Sequence, residues 1–382
     1  MPSFPQGAID VTTAPELDDA LSRLSPAHQL AVDVEADAMH AFRARLCFVQ
    51  VGTEDSVFLL DTLAPGVEAA RLAALFADPS RTKVFHAAGG DLQYLAEAGV
   101  RVRNLFDTHR AATLLGWPKV GLADLARALL EIELPKEHQQ SDFSVRPIPP
   151  AMREYIANDV RYLSEIARQV QAACALADIQ EEVRLDCDRL ADEAAVRPPV
   201  APFEPKLPRG GLTPDQLRLA RALALALHQA RLRWAEAANV PMGKMLSAAA
   251  IHAIALKQPK DKKTLARLEG VRGAFVREHG DDTLALVEAF VQKSSRGELP
   301  EVEAPQRRDS RTRKREDALK AWRTTKAQER RVTGSVVLTN PLLSELAAEP
   351  PESLDVLSRL PYFGEKRLGL YGAELLALLN QT

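Results

Sequence analysis

The sequence contains little cysteine, and no pattern that would arrange it for chemistry. Its 382 residues include three cysteines, Cys47, Cys174 and Cys187, with no CxxC pair among them. An odd number of unpaired positions argues against a disulfide framework and against a cysteine-based zinc site. We therefore expect the protein to occupy a reducing compartment.

Long hydrophobic runs are absent as well. No stretch approaches the length of about 18 apolar residues that a membrane span needs, and the N-terminal segment lacks the basic start and apolar run of a signal peptide. The expectation is a soluble, cytoplasmic protein with no membrane segment. The motifs GxxxxGK[ST], GxSxG and HExxH are also missing, which argues against ATP-driven activity and against two common hydrolase classes.

The two halves of the chain have net charges of opposite sign. Residues 1–195 hold 18 Lys and Arg against 30 Asp and Glu, a net of −12, whereas residues 196–382 hold 31 against 22, a net of +9. A basic cluster at residues 307–331 has 11 Lys and Arg against 4 Asp and Glu and contains Trp322. Such runs bind nucleic-acid phosphates without sequence preference. The alternative is a solvated helix face, with Trp322 in the core.

The length exceeds that of one ordinary domain, and two polar segments divide the chain. A proline-rich stretch at 196–211 predicts an extended linker. A charged and polar stretch at 293–314 predicts a second connector. The predicted domains are residues 1–195, 212–292 and 315–382.

The last two of these domains have the pattern of a repeat. Shifting the sequence by 92 positions aligns Pro259 with Pro351 and Gly280 with Gly372, at fixed distances from matching apolar residues. Shared proline and glycine positions are harder to obtain by chance than matches among Ala and Leu. The spacing of apolar residues in both copies is helical, which predicts a repeated all-α domain.

The first domain has a mixed pattern. Short apolar runs rich in β-branched residues predict strands at 30–36, 45–52, 57–62 and 83–88. Helical spacing predicts helices at 67–77, 90–99, 108–116, 122–131 and 152–177. Strands surrounded by helices indicate an α/β sheet domain.

Several acidic residues stand where a buried strand or a helix junction is predicted. Asp33 and Glu35 lie two apart, which puts both carboxylates on one face of a strand, where they are costly unless paired or bound to metal. The alternative is that they lie beyond the strand end in solvent. Asp91 opens a helix after the run at 83–88, and Tyr155 lies one helical turn before Asp159. Together these residues suit phosphoryl chemistry with two divalent ions.

Three motifs carry a family resemblance. The segments DVE at 33–35, HAAGGDLQYL at 86–95 and YIANDVRYL at 155–163 resemble the exonuclease motifs of the DEDD superfamily, with a tyrosine typical of the DEDDy branch. The stretch at 106–149 is similar to the ribonuclease D family, and the two repeats resemble HRDC domains. The resemblance implies an α/β ribonuclease H-like exonuclease domain followed by two all-α HRDC domains.

The same resemblance implies an activity. It is that of a metal-dependent 3'-5' exoribonuclease, which would act as a monomer on RNA with a single-stranded 3' end. The implied substrates are precursor tRNA and other small structured RNAs, whose 3' ends it would trim. The implied mechanism uses two metal ions and releases nucleoside 5'-monophosphates. Two Mg²⁺ or Mn²⁺ ions would be held by four acids, and the tyrosine would orient the attacking water. The implied metal ligands are Asp33, Glu35, Asp91 and Asp159, and the implied water-orienting residue is Tyr155.

Other positions depart from the family or receive a structural interpretation. Val34 and Ala36 stand where the family often has Thr and Phe, and Phe143 stands where a Trp is common. We interpret His86 as a structural histidine, because a lone histidine at a strand end is more often structural than functional. Asp107 and Asp142 are interpreted as caps or turn formers.

Two rival functions remain open at this point. A DNA 3'-5' exonuclease uses the same carboxylates, and preference for RNA needs a contact to the 2'-OH that the sequence does not reveal. A catalytically silent RNA-binding adaptor is the other, although the complete set of acids argues against it.

Overall fold

The computed structural model describes residues 4–135, 137–196, 203–207, 210–301 and 309–381. The described residues fall into two compact units. One unit comprises residues within Met1–Ala36, Leu46–Pro198 and Arg308–Thr382, and the other comprises residues within Asp37–Arg45 and Pro199–Arg307. No helix in these ranges combines the length and the apolar character that crossing a membrane requires.

A mixed sheet forms the centre of the N-terminal domain. Its strands in spatial order run β1-β4-β3-β2-β5-β6, with β3 antiparallel to both of its neighbours and the remaining pairs parallel. β2 therefore lies inside the sheet, where the pattern of alternating buried side chains brings Asp33 and Glu35 to one face. The strands are β1 Ala8–Val11, β2 Gln29–Ala36, β3 Leu46–Gly52, β4 Val57–Asp61, β5 Thr82–Phe85 and β6 Leu105–Asp107.

Helices cover both faces of this sheet. A large apolar core lies on one face, and a smaller one lies on the other, beneath the helix that carries Tyr155 and Asp159. The helices are α1 Ala14–Leu24, α2 Ala73–Ala77 after a 3-10 turn at Ala69–Leu72, α3 Gly89–Glu97, α4 Thr108–Leu114, α5 Leu122–Leu130, α6 Pro150–Arg161, α7 Leu163–Leu176 and α8 Gln180–Ala195.

Several elements differ from the sequence-based expectation. The strands β1 and β6 and the helices α1 and α8 were not predicted; the strands, at four and three residues, are too short to establish a period. The single helix expected at 152–177 is two helices, α6 and α7, which are divided at Tyr162, where φ is −105° and ψ is −8°. The strand expected at 83–88 ends at Phe85, and Ala87 has a positive φ of 63°.

Two helical repeats follow, and the last four helices of each begin 92 residues apart. The first helical repeat contains α9 Pro214–Ala237, α10 Met242–Met245, α11 Ala248–Lys257, α12 Lys262–Leu265 and α13 Gly273–Ser295. The second helical repeat contains α14 Ser310–Arg330, α15 Gly334–Val337, α16 Asn340–Ala348, α17 Leu354–Ser358 and α18 Glu365–Asn380. A shared hydrogen bond marks the equivalence: Arg231 donates to the carbonyl of Leu246 at 3.1 Å, and Arg323 donates to that of Leu338 at 3.0 Å.

The two expected connectors are partly outside the described residues. Of the proline-rich segment 196–211, residues 197–202 and 208–209 lie outside, whereas Phe203 stacks on His228 of α9, with ring centroids 4.3 Å apart. Of the segment 293–314, residues 302–308 lie outside. The helices extend into its described parts, since α14 begins at Ser310, where Asp309 accepts a hydrogen bond from the Thr312 amide at 2.7 Å. Elsewhere the domain boundaries stay predictions.

The second helical repeat packs directly on the sheet domain. Val336 is fully buried in the large core of that domain. Glu182 of α8, also fully buried, accepts a hydrogen bond from Arg330 of α14 at 2.7 Å and forms an ion pair with Lys366 of α18 at 3.5 Å. The hydroxyl of Thr333 donates to the carbonyl of Leu114 at 3.0 Å. These contacts make the second repeat part of the unit that contains the sheet.

Removing Arg330 should therefore destabilise this unit. In an Arg330→Ala variant, Glu182 stays buried, and among the described residues Lys366 is its remaining ion-pair partner. Breaking a buried pair from one side costs about 3 kcal/mol, and somewhat less when another cation remains. Arg313→Ala is the matched control, because Arg313 lies exposed on the same helix. Urea denaturation of both variants measures the difference. Equal free energies of unfolding would show that the Glu182–Arg330 pair does not hold the repeat to the domain.

Candidate active site

Three of the predicted acids meet at one end of the sheet. Asp33 and Glu35 on β2 and Asp159 on α6 each offer a carboxylate oxygen, and these oxygens lie within 4.8 Å of one another. They line a cavity of about 340 Å³, together with Tyr155 and His86. The interpretation of Asp33 and Glu35 as residues beyond the strand end is wrong, because both lie within β2.

A close approach between α6 and the sheet brings Asp159 to this position. Gly52 ends β3, and a Cβ atom at this residue would lie 3.1 Å from the carbonyl oxygen of Val160. Any larger side chain would push α6 away from the sheet. Because Tyr155 lies one turn before Asp159 on the same helix, the same contact sets the position of both functional side chains.

Asp91 lies beside this cluster on the first turn of α3. Its oxygens are not among the three that meet within 4.8 Å. Burial raises the pKa of Asp91 well above its usual value, and the negative charges of Asp33, Asp107 and Asp159 raise it further. The structure therefore brings all four predicted acids into one electrostatic neighbourhood, with Asp91 at its edge.

The electrostatics of the site favour a bound cation. Burial raises the pKa of Asp33 to about 7 and, with the charges of the neighbouring acids, raises that of Glu35 to about 10. Burial is also the main cause of the raised pKa of Asp159. Within the described part of the chain, no Lys, Arg or His forms an ion pair with these carboxylates. Hard oxygen ligands with uncompensated charge fit divalent ions such as Mg²⁺ and Mn²⁺, so the donor set passes the chemical test for a metal site.

Tyr155 is held as a neutral hydrogen-bonding group. Burial raises its pKa above the usual value, and the charges of the nearby acids raise it further, so the hydroxyl keeps its proton. Its ring stacks on Phe143, with centroids 6.3 Å apart, and meets His138 edge-on at 5.9 Å. Phe143, which departs from the family pattern, thus fixes the orientation of the tyrosine ring by packing.

Sequence reasoning missed Gln50, which lies next to this site, and left His86 out of it. Gln50 on β3 pairs with Asp33 across the sheet, so both side chains share a face. Gln50 is fully buried, and neither atom of its amide has a hydrogen-bond partner among the described residues. His86, interpreted from sequence as structural, lines the cavity. A glutamine within the otherwise apolar run of β3 was the available signal for the first of these.

Comparisons with known proteins cover both the sheet domain and the two helical repeats. Residues 9–174 match the family model for 3'-5' exonuclease, and residues 220–287 and 313–379 match that for the HRDC domain. A ribonuclease D from Gluconacetobacter diazotrophicus is 30% identical to the chain over 389 residues, covering 99% of this chain and 96% of that protein. The chain belongs to the ribonuclease D family.

Two further comparisons concern the exonuclease region and the overall fold. An exosome complex component 10 homolog from Drosophila melanogaster is 32% identical over 154 residues, which cover 40% of this chain and 17% of that protein. The crystal structure of Escherichia coli RNase D has the same fold, with a TM-score of 0.68 at 23% identity, covering 98% of this chain and 99% of that one.

Membership in the ribonuclease D family confirms the predicted fold class and activity. The chain has an α/β exonuclease domain followed by two helical HRDC domains, and it is a 3'-5' exoribonuclease. The reading as a catalytically silent adaptor is therefore wrong. The exonuclease family is metal-dependent, which agrees with the chemistry of the acidic cluster.

The basic cluster at 307–331 is used differently from the expectation. Residues 307 and 308 lie outside the described residues. Much of the remaining charge is engaged inside the protein, by Arg323 on Leu338, Arg330 on Glu182, and Lys326 on Glu329 and Glu374. Trp322 is buried in the core of the second HRDC domain, as expected. Exposed basic side chains remain near the start of α14, at Arg311, Arg313 and Lys314.

Asp107 shapes the turn that leads to Asp91. Its fully buried carboxylate accepts hydrogen bonds from four backbone amides, which belong to two segments of the chain. Ala87 and Ala88, before α3, donate at 3.0 and 2.9 Å, and His109 and Arg110 of α4 donate at 2.9 and 3.1 Å. The interpretation of Asp107 as a cap is confirmed. Asp142, by accepting a hydrogen bond from the Ser144 amide at 3.0 Å, is confirmed as a turn former.

An Asp107→Asn variant should be less stable by about 1–3 kcal/mol. Both carboxylate oxygens face backbone N–H groups, so an amide nitrogen in either position would meet another donor. Asp261→Asn is the control, because Asp261 caps α12 in the first HRDC domain, where asparagine caps as well as aspartate. Thermal unfolding of the two variants tests the difference. Equal Tm values would contradict the role assigned to Asp107.

Proposed function

We propose that this enzyme trims the 3' ends of precursor tRNA and other small structured RNAs by a two-metal-ion mechanism. Asp33, Glu35, Asp91 and Asp159 hold two divalent ions, Mg²⁺ or Mn²⁺, and nucleoside 5'-monophosphates are released. The meeting of three carboxylates within 4.8 Å carries this proposal. A pair of divalent ions bound there supplies charge that activates a water and stabilises the leaving oxygen.

The other residues of the cavity prepare the substrate and the water. Tyr155 donates or accepts a hydrogen bond through its neutral hydroxyl and so orients the attacking water towards the phosphorus atom. Its contacts with Phe143 and His138 restrict the ring. The cavity that Asp33, Glu35 and Asp159 line has a volume of about 340 Å³, and we propose that the 3' end of the RNA enters it.

The class of RNA is inferred from a protein of the same fold. Escherichia coli RNase D is described as an exoribonuclease involved in structured RNA processing, and we extend that substrate class to this chain. The exposed residues Arg311, Arg313 and Lys314 offer positive charge for the phosphates of a folded RNA. The monomeric state and the cytoplasmic location expected from the sequence stay predictions.

A time course on oligonucleotides labelled at the 5' end tests the function. Matched RNA and DNA strands are incubated with Mg²⁺, Mn²⁺ or EDTA. We expect RNA products that shorten by single nucleotides, in either metal and not in EDTA. Internal cleavage, or unchanged hydrolysis in EDTA, would contradict the proposal.

Substitution of the ligands should separate metal binding from folding. Asp33→Asn and Asp159→Asn each remove a charge that holds the ions, and turnover should fall by a factor on the order of 10³. In the wild-type protein Mn²⁺ should raise Tm, because it binds the folded state, and in the variants this rise should be small. Asp55→Asn, on the exposed turn between β3 and β4, is the matched control. Full turnover in both variants would contradict the assignment of Asp33 and Asp159 as metal ligands.

Tyr155→Phe should lower kcat and leave KM for RNA almost unchanged. The substitution keeps the ring and its packing but removes the hydroxyl, and loss of orientation costs on the order of 100-fold in rate. Tyr362→Phe is the control, since its hydroxyl contacts Asp192, on α8. If the rate of Tyr155→Phe equals that of the control, the tyrosine serves packing alone.

A further inference from the structure

His86 is a polar side chain of the cavity that the proposed chemistry does not use. It follows β5 directly and lines the cavity beside Asp33, Glu35 and Tyr155. Within the described residues, its hydrogen bond is formed by Nδ1 with the hydroxyl of Thr108, at 2.9 Å. The ring of His109 meets its ring edge-on, with centroids 5.5 Å apart. Residues outside the acidic cluster thus hold the His86 ring in place.

The contacts of Thr108 determine which nitrogen of His86 carries hydrogen. The Thr108 hydroxyl lies 3.1 Å from the carbonyl oxygen of Phe85, which can only accept. A hydroxyl has a single hydrogen, so when that hydrogen goes to the carbonyl, the Thr108 oxygen acts as acceptor towards His86. Nδ1 of His86 therefore donates. This is the arrangement that satisfies both contacts at once.

The second nitrogen of His86 is consequently an acceptor. In a neutral imidazole one nitrogen donates and the other accepts, which leaves a lone pair on Nε2. Burial, and to a smaller extent His109, lowers the pKa of His86 to about 4, so the ring is neutral at physiological pH. Nε2 has no hydrogen-bond partner among the described residues. The cavity thus contains a neutral acceptor with a fixed orientation, in addition to its carboxylates.

An RNA 3' end offers few donors that do not depend on its sequence. Phosphate and ring oxygens only accept, and the donors of the bases change from one nucleotide to the next. The ribose hydroxyls are constant, and the 2'-OH is the one that DNA lacks. An enzyme that removes nucleotides in succession meets this group in the same place at each step.

We propose that Nε2 of His86 accepts a hydrogen bond from the 2'-OH of the terminal nucleotide and thereby makes the enzyme prefer RNA to DNA. This inference rests on the proposed function, because it requires the RNA 3' end to occupy the cavity. It names a contact to the 2'-OH, which the acids alone do not provide. A terminal deoxynucleotide leaves the half-buried acceptor unpaired, and the expected loss in kcat/KM is roughly 5- to 100-fold.

The test uses substrates that differ at one position. An all-ribose oligonucleotide is compared with one that has a 2'-deoxy terminal nucleotide and one that has a 3'-deoxy terminal nucleotide. The first turnover of each is measured with Mn²⁺ for the wild-type protein and for His86→Leu, His86→Gln and His109→Leu. His86→Gln keeps an acceptor oxygen near the position of Nε2. His109 is the matched control, because it touches His86 but does not line the cavity.

We expect the wild-type protein to prefer the ribose terminus over the 2'-deoxy terminus. In His86→Leu this ratio should fall close to 1, because the ribose substrate slows while the 2'-deoxy substrate keeps its rate within about 3-fold. His86→Gln should retain part of the ratio, and His109→Leu should retain most of it. A histidine that only supports the fold would slow both substrates equally and leave the ratio unchanged.

Three outcomes would overturn the inference. The first is a wild-type ratio near 1, which needs no variant and so does not depend on how the variants fold. The second is an equal slowing of both substrates in His86→Leu and His86→Gln. The third is a preference that follows the 3'-OH instead of the 2'-OH. Failure of the proposed function is distinct, since the wild-type protein would then degrade none of these strands with Mn²⁺.

Discussion

Repulsion between the four carboxylates of the active site is the constraint that the rest of the N-terminal domain has to overcome. Two acids share β2, one lies on α6 and one on α3, and burial strengthens the repulsion among them. Contacts that do not involve these acids hold the three elements in place. Gly52 lets α6 approach the sheet, and Asp107 ties the turn before α3 to α4. The fold therefore carries a site whose own charges oppose its assembly.

Local patterns predicted the elements that carry chemistry. The two-residue spacing of Asp33 and Glu35 and the four-residue spacing of Tyr155 and Asp159 depend only on the geometry of a strand and of a helix. Short elements such as β6, with three residues, have no period to detect. The existence of β6 depends on its pairing with β5, which a local sequence window does not contain.

The role of His86 shows why part of the site was beyond sequence reasoning. Its preceding strand and its position were predicted, yet its tautomer depends on Thr108 and Phe85, which come together only in the folded sheet. Gln50 is a similar case, because its neighbour across the sheet is Asp33. The net charge of the basic cluster was likewise an incomplete guide, since it does not distinguish Arg330, which pairs with a buried acid, from Arg313, which faces solvent.

The docking of the second HRDC domain has a consequence for synthesis of the protein. Val336 completes the core of the exonuclease domain, yet it is translated after the whole of the first HRDC domain. Domains generally fold in the order in which they leave the ribosome. Until Val336 is translated, the part of the core that it covers is open to solvent. A chain that ends before Val336 would leave that apolar surface exposed, and exposed apolar surface favours aggregation.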